Sequence, residues 1–169
     1  MKSTAVVIQQ KIITSWLLIL ILFCGTANLA VAQSQDPIAG DWRYIGGDAA
    51  HTRYSPLDQV DASNFEDLEV AWIWRGDNFG PSVDYVFRST PIYVDGLLYT
   101  VAGQRRTIAA VDPATGETVW TYREPHTTRY DRGMRNNYGK GVAYGEVDGR
   151  GVIFASSPAF FLHALDAKT

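Results

Sequence analysis

The sequence predicts an all-β fold, a β-propeller fragment with about one complete four-stranded blade and part of a second. Three observations carry that expectation. Residues 110–120, AVDPATGETVW, read as a strand end, a tight turn and a second strand closed by tryptophan. Residues 164–169, ALDAKT, begin the same unit again. Asp112 and Asp166 thus recur about one unit apart, and units of ~40–50 residues are the signature of a propeller. Finally, Asp95-Gly96 sits between two apolar runs, the dipeptide of a two-residue hairpin turn.

The first 32 residues read as a signal peptide. Lys2 and Lys11 precede the apolar run 12–24, and Ala30-Val31-Ala32 supplies a small-x-small cleavage site. The alternative is an uncleaved membrane anchor, since 12–32 is just long enough to span a bilayer. Phe23 before Cys24 argues against a lipid-attachment motif. The expected location is periplasmic, with membrane association left open.

The chain of 169 residues carries 15 Lys+Arg against 18 Asp+Glu, a net charge of −3. Loss of the signal removes two lysines and no acid, so the remainder is more acidic. Such a surface gives no support for nucleic-acid binding. The single cysteine, Cys24, lies in the signal segment. Stability therefore rests on packing and not on disulfides.

Residues 33–67 read as a leader and an irregular segment. Gly46, Gly47 and Pro56 interrupt any long element. Residues 64–68 suit one helical turn capped by Ser63 or Asn64. From 68 to 169 the chain reads as an incomplete propeller. Residues 68–75, LEVAWIWR, alternate as a strand with Leu68, Val70, Trp72 and Trp74 on one face. Its expected partner lies outside the chain. Residues 90–122 make a four-stranded blade: a hairpin over 90–102, a third strand over 107–112, a turn at 113–116 and a fourth strand over 117–122. Residues 123–139 are a long connection. The partial blade 141–169 has strands at 141–147, 152–156 and 161–166, and the chain stops inside the repeat. A truncated reading frame is the expectation.

The unit Ala-x-Asp-x-x-Thr-Gly-x-x-x-Trp resembles the tryptophan-docking motif of propellers that bind pyrroloquinoline quinone. Segments 42–75, 90–120 and 138–169 are similar to the N-terminal part of quinoprotein dehydrogenases, nearest the glucose-dehydrogenase-like members. The resemblance implies an exported eight-bladed propeller holding the quinone and Ca2+ on its axis. It implies oxidation of an alcohol or aldose, with electrons passed to a respiratory quinone or cytochrome c. The catalytic base and the calcium ligands of that family fall beyond residue 169, so the fragment itself is expected to be inactive.

Two cofactor contacts fall inside the chain by the same resemblance. Ser157 stands where the family has a threonine or serine that hydrogen-bonds the quinone; the alternative is a strand-end serine bonded to backbone. Lys140 stands where the family has an arginine; the cofactor is a tricarboxylate, so a cation suits it, although lysine lacks the bidentate fork. The alternative is a solvated loop lysine. Arg88 replaces a family glutamate and receives no role. The paired cysteines of many relatives are absent, so another group must cover that face of the quinone.

Arg123, Arg129, Arg132, Arg135 and Lys140 outnumber Glu124 and Asp131 in the connection. That suits a cationic rim for an anionic cofactor, or simply a solvated loop. His51, His126 and His163 show no ligand spacing, and residues 133–140 fail the phosphate-loop pattern. A second reading is a non-enzymatic propeller scaffold of the outer-membrane assembly type, which shares the tryptophan repeat.

Overall fold

The computed structural model describes residues 40–80, 82–133 and 137–169. The expected signal segment and the start of the leader lie outside these residues. Strands β1 (Ile92–Val94), β2 (Leu97–Ala102), β3 (Thr107–Val111) and β4 (Thr118–Tyr122) form a sheet in sequence order. Strands β5 (Ala143–Val147), β6 (Arg150–Ser156) and β7 (Leu162–Asp166) form a three-stranded sheet, also in order. All neighbouring pairs are antiparallel. The expected propeller meander is what the molecule builds.

Turn chemistry sets the strand ends. Asp95 and Gly96 hold φ of 50° and 84°, and Asp148 and Gly149 repeat this at 51° and 74°. Positive φ at both central residues gives the turn whose twist matches a hairpin. Between β3 and β4, the Asp112 carboxylate accepts the Ala114 N–H at 2.7 Å, and Gly116 N–H donates to the Asp112 carbonyl at 2.8 Å. Asp166 begins the same pattern by accepting the Lys168 N–H at 2.8 Å. The repeat in the sequence is thus a repeat of hydrogen bonds.

The core lies between the two sheets. Alternate residues of the first sheet, Ile92, Val94, Tyr99, Val101, Ile108 and Ala110, meet Ile153, Ala155 and Ala167 of the second. Burying side chains of this size stabilises by roughly 1.5–3 kcal/mol each for the larger ones. Tyr99 is 1% exposed, and its hydroxyl donates to the Ala167 carbonyl at 3.0 Å, so its polar tip is satisfied inside. A bulge sets Trp120 opposite Ala110 and Thr118 opposite Val111, with Val119 as the extra residue.

Each tryptophan of the repeat docks on the turn of the next unit. The Trp72 indole N–H donates to the Pro113 carbonyl at 2.8 Å, and that of Trp120 to the Ala167 carbonyl at 3.0 Å. Pro113 and Ala167 occupy the same place in their units, one residue after the aspartate.

Three expectations need correcting. Residues 68–75 are extended and, as expected of a strand whose partner lies outside the chain, pair with no strand among the described residues; the expected apolar face is not packed, since Leu68 and Val70 are exposed. A strand without a partner cannot complete its hydrogen bonds; among the described residues the Trp72 and Trp74 indoles tie it to the blade, donating to the Pro113 carbonyl and the Thr118 hydroxyl. Residues Phe65–Asp67 form a single 3-10 turn without a side-chain cap; Asn64 instead accepts the Asp61 N–H and Ser63 binds Asp61. The connection after β4 is not all loop, because Thr128–Gly133 forms a short helix, α1. Between the extended segment and the outer face of the first sheet lies a groove of about 700 Å³, walled by Trp72, Trp74, Phe87, Leu98 and Val111.

Candidate functional site

The two sheets have unlike ends. One carries the hairpin and tryptophan-docking turns. The other carries the start of β1, the β2–β3 connection, the exit of β4, the entry to β5 and the β6–β7 turn. Lys140 and Ser157 lie at this second end, while the hairpin end carries a separate charged cluster of Arg43 with Asp41, Asp95 and Glu146.

Ser157 follows β6 directly and is 7% exposed. Its hydroxyl donates to Glu124 Oε1 at 2.6 Å and accepts the Phe161 N–H at 3.1 Å. Lys140 lies just before β5 and is exposed. The β5–β6 register pairs Ala143 with Phe154. Lys140 and Ser157 both lie outside that ladder, at the end of the sheet where β5 begins and β6 finishes.

Asp84 holds the segment leading to Lys140. Its carboxylate accepts the Gly139 N–H at 2.8 Å and the Tyr138 N–H at 3.3 Å. Gly139 is required there: a Cβ would sit 2.9 Å from Val101 Cγ2 and 3.3 Å from the Asp84 carboxylate. Arg88 N–H donates to the Gly139 carbonyl at 3.2 Å, and its guanidinium lies 5.5 Å from the centre of the Tyr138 ring. Arg88, which has no assigned role by resemblance, is therefore a neighbour of the Lys140 segment.

Further cations share this end. Arg105 lies 5.0 Å over the Tyr130 ring, and Arg129 lies 5.0 Å over Phe161. Arg106 Nε donates to the Asn137 carbonyl at 2.8 Å, and Arg123 Nε to the Thr107 hydroxyl at 3.2 Å. Arg135 of the expected rim lies outside the described residues. Burial pushes the Tyr130 phenol up from its ordinary pKa, with Arg105 acting the other way.

In the sequence Glu124 counts only as a loop charge, and His163 shows no ligand spacing. The structure makes Glu124 a direct partner of Ser157 and sets His163 beside Glu124. Glu124 is buried and also accepts the Ala159 N–H at 3.2 Å. His163 Nδ1 pairs with the Tyr122 hydroxyl at 3.2 Å, and its Nε2 lies 3.6 Å from Glu124. The one signal available was an acidic residue just past a strand end, which alone does not point inward.

Among the described residues, four buried side-chain polar atoms lack a hydrogen-bond partner: Ser89 Oγ, Tyr130 Oη, Asn137 Oδ1 and His163 Nε2. All four belong to segments at this same end. Unpaired buried polar atoms are costly; of these, the Ser89 and Tyr130 hydroxyls can donate, Asn137 Oδ1 can only accept, and His163 Nε2 faces Glu124 at 3.6 Å. No group of three or more His, Cys, Asp or Glu suited to a metal occurs among the described residues. No helix among them is long and apolar enough to cross a membrane.

Comparison with known proteins gives a consistent result. The family model for the PQQ glucose/ethanol/alcohol dehydrogenase β-propeller domain matches residues 42–169. The quinohemoprotein alcohol dehydrogenase of Comamonas testosteroni is 35% identical over 76% of this chain and 17% of its own length. The quinohemoprotein alcohol dehydrogenase ADH IIB of Pseudomonas putida is 33% identical, covering 95% of this chain and 23% of the relative. The crystallised quinohemoprotein alcohol dehydrogenase ADHIIG from Pseudomonas putida superposes with a TM-score of 0.62 at 31% identity, over 78% of this chain and 18% of that one. The chain thus spans about a fifth of the length of these relatives.

Proposed function

The chain belongs to the PQQ glucose/ethanol/alcohol dehydrogenase β-propeller domain family, and on that premise we propose that it is the N-terminal wedge of an exported quinoprotein that oxidises an alcohol. The observation that carries this reading is the family match over residues 42–169, with Lys140 before β5 and Ser157 after β6 at the same end of the second sheet. An aldose is the alternative substrate that the family description also covers.

The residues present fit the cofactor. Lys140 offers a cation to a tricarboxylate, and the arginines around it strengthen that attraction. Ser157 donates its O–H to Glu124 and accepts the Phe161 N–H, and it keeps one lone pair for a donor group of the cofactor. The quinone, when bound, supplies the two-electron redox chemistry. Ca2+ and the catalytic base are placed on other blades by this reading, as is the respiratory quinone or cytochrome c acceptor. The apolar run 12–24 and the Ala30-Val31-Ala32 site support export to the periplasm.

The test is dye-linked oxidation by the full-length protein with added pyrroloquinoline quinone and Ca2+. Turnover of primary alcohols is expected, and preference for glucose would move the assignment to the aldose. Absence of both turnover and quinone binding would replace the enzyme with the scaffold reading. On the same proposal the 169-residue chain alone shows no turnover.

A further inference from the structure

The β6–β7 turn is held from outside its own sheet. Within the turn, Ser157 N–H donates to the Phe161 carbonyl at 2.8 Å and Phe160 N–H to the Ser157 carbonyl at 3.1 Å. Phe160 adopts a φ of 65°. Positive φ is a genuine outlier for a bulky residue, and such strain persists only where surrounding contacts over-determine it.

Those contacts come from Glu124, just past β4 of the first sheet. Glu124 is 8% exposed. A desolvated charge must be met by hydrogen bonds. Here it takes the Ser157 O–H at 2.6 Å on one oxygen and the Ala159 N–H at 3.2 Å on the other. The side chain therefore spans the turn and fixes two of its residues at once. It also fixes the polarity of Ser157. The hydroxyl hydrogen goes to Glu124 and one lone pair takes the Phe161 N–H, which leaves one lone pair to accept from a ligand N–H or O–H.

We propose that Glu124 is a positioning residue: it reaches across from the preceding blade to hold Ser157 and its turn in the form that receives the quinone. This rests on the quinone reading above. Cutting the Glu124 bonds frees the hydroxyl to rotate and lets the turn relax around Phe160.

The experiment is a double-mutant cycle in the full-length protein, with Glu124→Gln, Ser157→Ala and the double variant. The readouts are the Kd for pyrroloquinoline quinone and amide hydrogen exchange in the quinone-free protein. Each single variant is expected to weaken binding by about fivefold, and the double variant by no more than the worse single. In the quinone-free protein, Glu124→Gln is expected to speed exchange of the Ala159 and Phe161 amides by about tenfold. Wild-type affinity in Glu124→Gln, or losses that multiply in the double variant, would overturn the proposal. If the wild-type protein binds no quinone, the functional reading falls, and unchanged exchange in Glu124→Gln then removes the positioning role separately.

Discussion

The Trp120 indole N–H donates to the Ala167 carbonyl at 3.0 Å, the same oxygen that receives the Tyr99 hydroxyl at 3.0 Å. One carbonyl of the second sheet thus takes two donors from the first. Their rings are tilted neighbours, with centroids 6.1 Å apart. This is where the two sheets are fastened. Trp120→Phe removes one donor and keeps most of the aromatic area, so a loss of about 1 kcal/mol is expected. Urea unfolding of the protein checks it, and an unchanged midpoint would show the bond to be idle.

Gly116 and Gly96 separate backbone strain from close packing. Both have positive φ, 75° and 84°, but a Cβ at Gly116 would lie 2.7 Å from the Trp72 ring while one at Gly96 meets nothing within 4 Å. Gly96→Ala pays the left-handed penalty alone, about 1 kcal/mol. Gly116→Ala should lose at least twice that, because Trp72 must leave the turn. Thermal melts of the two variants give the comparison, and equal losses would contradict the docking geometry.

Burial pushes the Tyr99 phenol up to about 12, with the Asp95 charge adding to the effect. A pKa raised on folding favours the protonated form in the native state. The associated stability is complete below the unfolded value near ~10 and disappears as pH climbs from there toward the folded value. Burial raises Tyr144 in the same direction. Stability should therefore fall between pH 10 and about 12, and Tyr99→Phe should flatten part of that decline. Denaturant midpoints across this range test it, and an identical slope in the variant would exclude Tyr99.

Asp84 anchors the approach to Lys140 through the Gly139 and Tyr138 amides. Charge-assisted bonds of this kind are the stronger ones. Asp84→Ala should loosen the segment and speed tryptic cleavage after Lys140 by about tenfold at native pH. A wild-type digestion rate would show that the segment is held elsewhere.

The exposed edge of the second sheet bears on the behaviour of the isolated chain. β7 ends the β5-β6-β7 order, and Leu162 on it is 73% exposed. Unpaired strand edges recruit other chains. Light scattering of residues 33–169 should report association, and a monodisperse monomer with cooperative unfolding would refute it.

The sequence by itself determined the blade, its turns and the docking tryptophans. Asp-Gly pairs, the Asp-x-x-Thr-Gly turn and period-two alternation are local signals, and each acts on residues a few positions apart. It also placed Ser157 and Lys140 by resemblance. Only the tertiary structure decided that Glu124 turns inward to Ser157, that Asp84 holds the Lys140 segment, and that Leu68 and Val70 stay exposed while Trp72 and Trp74 anchor 68–75. Those outcomes depend on residues tens of positions apart meeting at one end of two packed sheets, and no local pattern encodes which carboxylate will be desolvated there.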